Sequence, residues 1–201
     1  MNWREFFHNK KFLIEFVITT IFFVIVLNFL THFLNFIEQR QGVVLSDPIL
    51  KTFNAINLTW LTFTLIYFSV FITLILLIKY PQKLLFAMQA YALMVIIRII
   101  AMYLLPLNPP NGMIQLNDPF VQFFGTGKIL TKDLFFSGHT ATLFLFFLIV
   151  EKKFFKNLLL VFTTAVAVSV LLQHVHYSID VFAAPFFAYG SFEIVRLLHK
   201  A

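Results

Sequence analysis

The chain has 201 residues, of which 60% are hydrophobic and 12% are charged, and its formal net charge is +6. A typical soluble domain is about one quarter charged, so a chain this apolar cannot cover a water-facing surface. Lipid must be its solvent, and the length predicts one membrane domain, residues 1–201. The absence of cysteine excludes disulfides, thiolate catalysis and cysteine-ligated metals. The 29 phenylalanines suit lipid contact and helix packing, so no nucleic-acid partner is expected.

Six apolar segments predict transmembrane helices, since a helix needs about 20 apolar residues to cross the hydrocarbon core. In chain order they are residues 12–34, 55–78, 84–105, 134–150, 158–175 and 177–198. The first follows a basic N-terminus and is too long for a signal-peptide core, so we expect an uncleaved helix. Pro106, Pro109 and Pro110 end the third segment. The sequence therefore predicts an all-α bundle of six membrane-spanning helices.

Lysine and arginine are distributed unevenly between the two sides of the predicted bundle. The side with both termini carries ten of them, and the other carries four, namely Arg40, Lys51, Lys128 and Lys132. Because cytoplasmic loops are enriched in these residues, we expect both termini to be cytoplasmic. The expected location is a bacterial plasma membrane, with the loops at residues 35–54 and 106–133 on its extracytoplasmic face.

A few ionisable residues lie near the extracytoplasmic ends of the predicted helices. His139 lies near the start of the fourth helix, and His176 and Asp180 lie at the start of the sixth. Arg98 lies eight residues before Pro106, so it is about 12 Å below the outer end of the third helix. Ionisable groups at membrane depth are costly and usually functional, so we expect one polar site near this face.

His176 and Asp180 are four residues apart, so their side chains share one helix face. The carboxylate can hold one imidazole nitrogen and leave the other as a nucleophile or base. A buried hydrogen bond that only stabilises the helix end is the alternative interpretation of this pair.

His139 follows Ser137, a candidate N-cap, and Gly138, which would let a ligand approach the backbone closely. A helix start suits an anionic phosphate, although an ordinary cap beside an interfacial histidine fits the same residues. Arg98 either grips a phosphate oxygen or extends toward the lipid headgroups.

Three segments carry these residues: 98–106 (RIIAMYLLP), 133–140 (DLFFSGHT) and 176–181 (HYSIDV). Together they resemble the sphingomyelin synthase family, a branch of the type-2 phosphatidic acid phosphatase (PAP2) superfamily. The corresponding family motifs are R-x-x-T-M-Y running into L-P, G-D-x-x-x-S-G-H-T and H-Y-[ST]-x-D-V. Lys132 stands where the second motif has glycine, and Ala101 stands where the first has threonine.

The resemblance implies a phospholipid headgroup phosphotransferase that needs no metal or other cofactor. His176 would attack phosphorus, Asp180 would orient His176, and His139 would protonate the departing lipid oxygen. The candidates for binding phosphate or substrate are Arg98, Ser137, Gly138, Asp133 and Tyr177. The donor would be a phospholipid of the bilayer, and the acceptor would be either a ceramide-like lipid alcohol or water. Asp133 is also a candidate for orienting a histidine, or else a solvated loop acid.

Other functions fit parts of the same pattern. The nearest is a PAP2-type lipid phosphatase or phospholipase C-like hydrolase, and a small transporter or structural membrane protein is the non-enzyme alternative. A metal site would draw its ligands from His139, His174, His176 and Asp180. A serine protease based on Ser137 is disfavoured, because Ser137 suits a capping role better.

Overall fold

The computed structural model describes residues 3–116 and 130–200. Its helices are α1 (Trp3–His8), α2 (Lys10–Gln39), α3 (Thr59–Leu77), α4 (Pro81–Leu104), α5 (Gly138–Ile149), α6 (Lys153–Leu172) and α7 (Ser178–Leu198). The loops contain a 3₁₀ turn at Leu50–Thr52 and one isolated β-bridge between Val43 and Leu107. The described residues are thus all-helical and contain no strand. Lys128, expected on the extracytoplasmic side, lies outside them.

Within the described residues, five helices are long and apolar enough to cross a membrane, namely α2, α3, α4, α6 and α7. They indicate an integral membrane protein. The remaining predicted span, residues 134–150, corresponds to α5, which has 12 residues. A helix of that length is about 18 Å long, whereas the hydrocarbon core is about 30 Å thick. The predicted count of six spans is therefore not confirmed.

The predicted start of the fourth helix (residues 134–150) is wrong, because α5 begins only at Gly138. Two polar contacts keep the preceding apolar residues out of the helix. The Ser137 side chain caps α5 by accepting a hydrogen bond from Thr140 N. The carbonyl of Phe136 accepts a hydrogen bond from Arg98 Nε at 2.9 Å.

Other helix ends also differ from the predicted ones. In place of 12–34, α2 runs over Lys10–Gln39, because Asn9 caps its start and accepts a hydrogen bond from Lys11 N at 3.1 Å. In place of 158–175, α6 runs over Lys153–Leu172 and ends before His174, whose φ of 55° is incompatible with a helix. The predicted segments 55–78, 84–105 and 177–198 correspond to α3, α4 and α7 within four residues at each end.

Helix α5 lies at the centre of the bundle and contacts α3, α4, α6 and α7. Its residues Ala141, Leu143 and Leu145 are completely buried. Just before it, the ring of Phe136 stacks on Phe187 of α7 with 4.3 Å between the ring centroids. By contrast, α2 is peripheral, since only 11% of its most apolar stretch is buried, against 39% for α4. The short helix is therefore the core of the bundle, and α2 faces lipid.

The bundle has two distinct ends. At the loop-rich end, the loops at residues 40–58 and 105–116 and the turn at residues 173–177 are hydrogen-bonded to one another and to the helix ends. Ile56 N donates to Leu172 O at 2.8 Å, and Val43 N donates to Pro106 O at 3.0 Å. At the opposite end, the first turn of α4 meets the turn before α6 through the Lys83–Glu151 ion pair, which measures 2.5 Å. All the candidate site residues lie toward the loop-rich end.

Candidate active site

The first turns of α5 and α7 meet directly at the loop-rich end. Ser137 N donates a hydrogen bond to the carbonyl oxygen of Asp180 at 3.1 Å. This contact brings together the two histidines that the sequence places 37 residues apart. The imidazole rings of His139 and His176 have centroids 6.4 Å apart, with an angle of 65° between their planes. The structure therefore brings His139 and His176 together on one side of the bundle.

His176 and Asp180 form a buried pair. His176 Nδ1 lies 3.4 Å from Asp180 Oδ2, and their side chains are 1% and 0% exposed. The same carboxylate oxygen accepts a hydrogen bond from Tyr177 N at 3.0 Å, which fixes the carboxylate against the helix start. A carboxylate oxygen only accepts hydrogen bonds, so Nδ1 of His176 is the protonated nitrogen. The lone pair of the neutral ring is then on Nε2.

Arg98 reaches the same place from α4, and its side chain is only 7% exposed. Besides its bond to Phe136 O, it forms an ion pair in which Nη2 lies 2.5 Å from Asp133 Oδ1. Its guanidinium lies against Gly138, because a Cβ added there would be 2.8 Å from Arg98 Cζ. Arg98 therefore lies beside the start of α5, next to the residue that precedes His139. The space that Gly138 provides is filled by this arginine, where a ligand was expected.

Three of the residues predicted to bind phosphate or substrate make hydrogen bonds or an ion pair within the protein. Asp133 was a candidate for orienting a histidine, and its carboxylate pairs with Arg98. The buried Ser137 hydroxyl lies 3.1 Å from the Thr140 hydroxyl, as expected for a cap. The Tyr177 hydroxyl donates to Asn108 O at 2.9 Å and accepts from Leu45 N at 3.1 Å. Tyr177 therefore joins two loops to the start of α7, and its hydroxyl is engaged with backbone.

His174 is directed away from the histidine pair. Its Nδ1 donates to the carbonyl of Asn111 at 3.2 Å, and its ring packs edge-on against Phe53 with centroids 5.2 Å apart. The His174 side chain is buried. Among the residues that the structure describes, no three side chains of histidine, cysteine, aspartate or glutamate are grouped as metal ligands.

These contacts define a polar cluster made of one histidine pair, two carboxylates and one arginine, enclosed by α4, α5 and α7. Most of this cluster lies in residues 132–197, which match the family model described as PAP2 superfamily C-terminal. No curated protein sequence matches the chain.

The matched segment spans α5, α6 and all but the last residue of α7. It includes both histidines, Asp133 and Asp180, whereas Arg98 comes from outside it. Proteins of this superfamily are generally phosphatases or phosphotransferases, which suggests an enzyme acting on a lipid or another phosphate ester. The match is to the superfamily, and no finding supports the narrower resemblance to sphingomyelin synthases.

Asp47, which no sequence pattern singles out as a site residue, holds the start of α7. Its Oδ2 accepts hydrogen bonds from Ser178 N at 2.7 Å and from Ser178 Oγ at 2.8 Å. Its Oδ1 accepts from Ile49 N at 2.9 Å and from Leu50 N at 3.3 Å. The order Asp47-Pro48 indicates a local turn of this kind. No sequence pattern near Asp47 indicates that its Oδ2 binds Ser178, which lies 131 positions away.

Burial raises the pKa of the Asp47 carboxyl, but the hydrogen bonds from Ser178 and from two backbone amides outweigh burial, so the pKa lies below its usual value. The carboxylate therefore stabilises the fold at pH values above the unfolded-state pKa, which is about 3.9. This contribution is lost as the pH falls through the lower, folded-state pKa.

Asp47→Asn should lower the free energy of unfolding at pH 7 by about 1 to 3 kcal/mol, because an amide offers one acceptor oxygen where the carboxylate offers two. Unfolding in detergent, followed from pH 7 to pH 3, measures this difference. The gap between the wild type and the variant should narrow below about pH 4. Glu151→Gln removes an exposed carboxylate as a control, and a gap that is the same for both variants at every pH contradicts the assignment.

Gly138→Ala should destabilise the protein by about 1 to 3 kcal/mol, because the new methyl group overlaps the buried Arg98 guanidinium. Thermal unfolding in detergent measures the loss. Gly190→Ala on α7 is the matched control, since a Cβ there has no neighbouring atom within 4 Å. Alanine in that helix interior should be neutral or stabilise by up to about 1 kcal/mol. Equal effects of the two substitutions would rule out the contact between Gly138 and Arg98.

Proposed function

We propose that this protein transfers the phosphate-bearing headgroup of a phospholipid to a lipid alcohol, through a phosphohistidine intermediate on His176. One observation carries the proposal. Two imidazoles lie in contact, and the Nδ1 of His176 faces the buried carboxylate of Asp180. Such an arrangement leaves a basic nitrogen for attack on phosphorus and a second imidazole for proton transfer.

In the first step, Nε2 of His176 attacks the phosphorus of the phosphodiester. The bond between phosphorus and the diacylglycerol oxygen breaks, and His139 donates its proton to that oxygen. Diacylglycerol leaves, and the headgroup phosphate is bonded to Nε2. Asp180 balances the positive charge that develops on the His176 ring.

Arg98 is the proposed phosphate ligand. A guanidinium has five N–H donors, and the contacts with Phe136 O and Asp133 leave others for phosphate oxygens. The guanidinium also lies beside the N-terminus of α5, where the helix dipole favours an anion. In this proposal Gly138 permits the close packing of Arg98, and Ser137 and Tyr177 position the two helix starts.

In the second step, the hydroxyl group of the acceptor attacks phosphorus, and its proton passes to His139. The phosphorus–nitrogen bond breaks and His176 returns to its neutral state. A ceramide-like lipid is the proposed acceptor. Because His176 is 1% exposed, water has little access to the intermediate, which favours transfer over hydrolysis. Hydrolysis by a PAP2-type phosphatase is the second candidate, since the superfamily includes phosphatases.

The same proposal places the site on the extracytoplasmic face, with both termini in the cytoplasm. The site lies toward the loop-rich end, and the turns that carry Lys83 and Lys152 lie at the opposite end. Since cytoplasmic loops are enriched in lysine and arginine, the unequal charge of the two ends supports this orientation.

His176→Ala should abolish turnover of a labelled phospholipid, because the variant has no nucleophile. Asp180→Ala should do the same, since the His176 ring then lacks its orienting carboxylate. His139→Ala should slow release of diacylglycerol by about 10² to 10⁴-fold, as expected for loss of a general acid. The measurement is product formation by purified protein in detergent, with folding checked by thermal unfolding.

His32→Ala is the matched control, because His32 is an exposed histidine of α2. Its turnover should equal that of the wild type. Wild-type turnover in a folded His176→Ala variant would refute the nucleophile assignment. Separation of the lipid products with and without ceramide distinguishes the two functions. A new phosphosphingolipid indicates transfer, and diacylglycerol formed at one rate in both cases indicates hydrolysis.

A further inference from the structure

A cavity lies between α2, α4 and α7, toward the opposite end of the bundle from the candidate active site. Its volume is about 440 Å³. Apolar side chains form most of its wall, including Ile18 and Phe22 of α2, Ile96 of α4 and Ile194 of α7. Gln89, which lines the cavity, precedes Arg98 by nine residues on α4 and so lies about 14 Å from it along the helix axis. The cavity is therefore separate from the histidine cluster.

Four polar residues form a connected network in the wall of this cavity. The Gln89 amide nitrogen donates to Glu15 Oε1 and to Thr19 Oγ1, each at 3.2 Å. The Gln89 amide oxygen accepts a hydrogen bond from His199 Nε2 at 2.5 Å. Gln89 thereby connects all three helices, and its hydrogen-bonding groups are occupied within the protein.

The network contains one carboxylate, Glu15, which accepts a hydrogen bond from the neutral Gln89 amide. In the described ranges 3–116 and 130–200, no lysine, arginine or histidine nitrogen lies within ion-pair distance of Glu15. A carboxylate beside an apolar cavity is costly unless it is paired. A ligand that brings a positive charge with N–H donors would remove this cost.

The other parts of the cavity fit the remainder of such a ligand. Ile18, Ile194 and Leu198 are exposed apolar residues of the lining, so the cavity opens toward lipid chains. Lys11 lies one helical turn before Glu15, and Lys200 follows His199 in sequence. Both lysines are exposed at this end of the bundle, where they can pair with a phosphodiester.

We propose that this cavity binds a zwitterionic phospholipid with a primary ammonium headgroup. The ammonium group donates to the Glu15 carboxylate, the phosphodiester lies near Lys11 and Lys200, and an acyl chain follows Ile18 and Ile194. A quaternary ammonium headgroup has no N–H to donate, so phosphatidylcholine fits this site less well. An anionic headgroup such as phosphatidylglycerol has no positive charge to pair with the Glu15 carboxylate.

The test is lipid binding by the purified full chain, measured by native mass spectrometry. The protein is titrated with phosphatidylethanolamine, phosphatidylcholine and phosphatidylglycerol that have the same acyl chains. Phosphatidylethanolamine should bind about tenfold more tightly than the other two, and Glu15→Gln should remove this preference, since a charged hydrogen bond is lost. Ile18→Trp, which fills the cavity from a lipid-exposed position, should weaken binding by a similar factor.

Two controls separate this site from others. Glu151→Gln removes an equal charge from an exposed ion pair at the same end of the bundle and should leave binding unchanged. His32→Ala, on the part of α2 beyond the cavity, should also leave it unchanged, and weaker binding in that variant would assign the lipid to another part of α2 and overturn the proposal. The proposal is equally overturned if the three lipids bind alike, or if Glu15→Gln and Ile18→Trp both bind as the wild type does.

Discussion

The hydrogen bond from Ser137 N to Asp180 O joins the starts of α5 and α7 inside the bundle. Because α5 is short, its polar first turn is enclosed by apolar helices, where unsatisfied N–H and C=O groups would be costly. Ser137 caps the turn, Arg98 binds the carbonyl before it, and Asp180 accepts from it. The same contacts that satisfy this turn therefore hold the two imidazoles together, so stability and site geometry depend on one network.

The apolar runs in the sequence predict the long helices well, because each run is continuous and its ends are marked by charge or proline. The apolar runs do not predict the start of α5, since Phe135 and Phe136 are as apolar as the helix that follows them. Helix α5 begins only after these residues, because the Phe136 carbonyl is bound by Arg98, which lies 38 residues away in sequence. The C-terminal extension of α2 has a similar cause. The Glu38 carboxylate accepts hydrogen bonds from Thr131 N at 2.9 Å and Lys132 N at 3.1 Å, which local sequence does not indicate.

The site was predictable to the extent that it follows from helix periodicity. The spacing of His176 and Asp180 predicts a shared face, and the depth of Arg98 follows from its distance to Pro106. The partners of Gly138 and Asp47 were not predictable, because each contacts a residue far away in sequence. Gly138 illustrates the difference. Its small size was recognised, but the group that requires the space is the Arg98 guanidinium and not a ligand.

The charges of the cluster constrain the proposed mechanism. Arg98 contributes one positive charge, and Asp133 and Asp180 contribute two negative ones, so the cluster is anionic when both imidazoles are neutral. A phosphodiester adds a further negative charge in a poorly solvated place, where like charges are strongly unfavourable. A proton on one imidazole offsets it. In the proposed mechanism His176 needs its free nitrogen for attack, so the proton belongs on His139, the proposed general acid. Charge balance and the assignment of the acid thus lead to the same histidine.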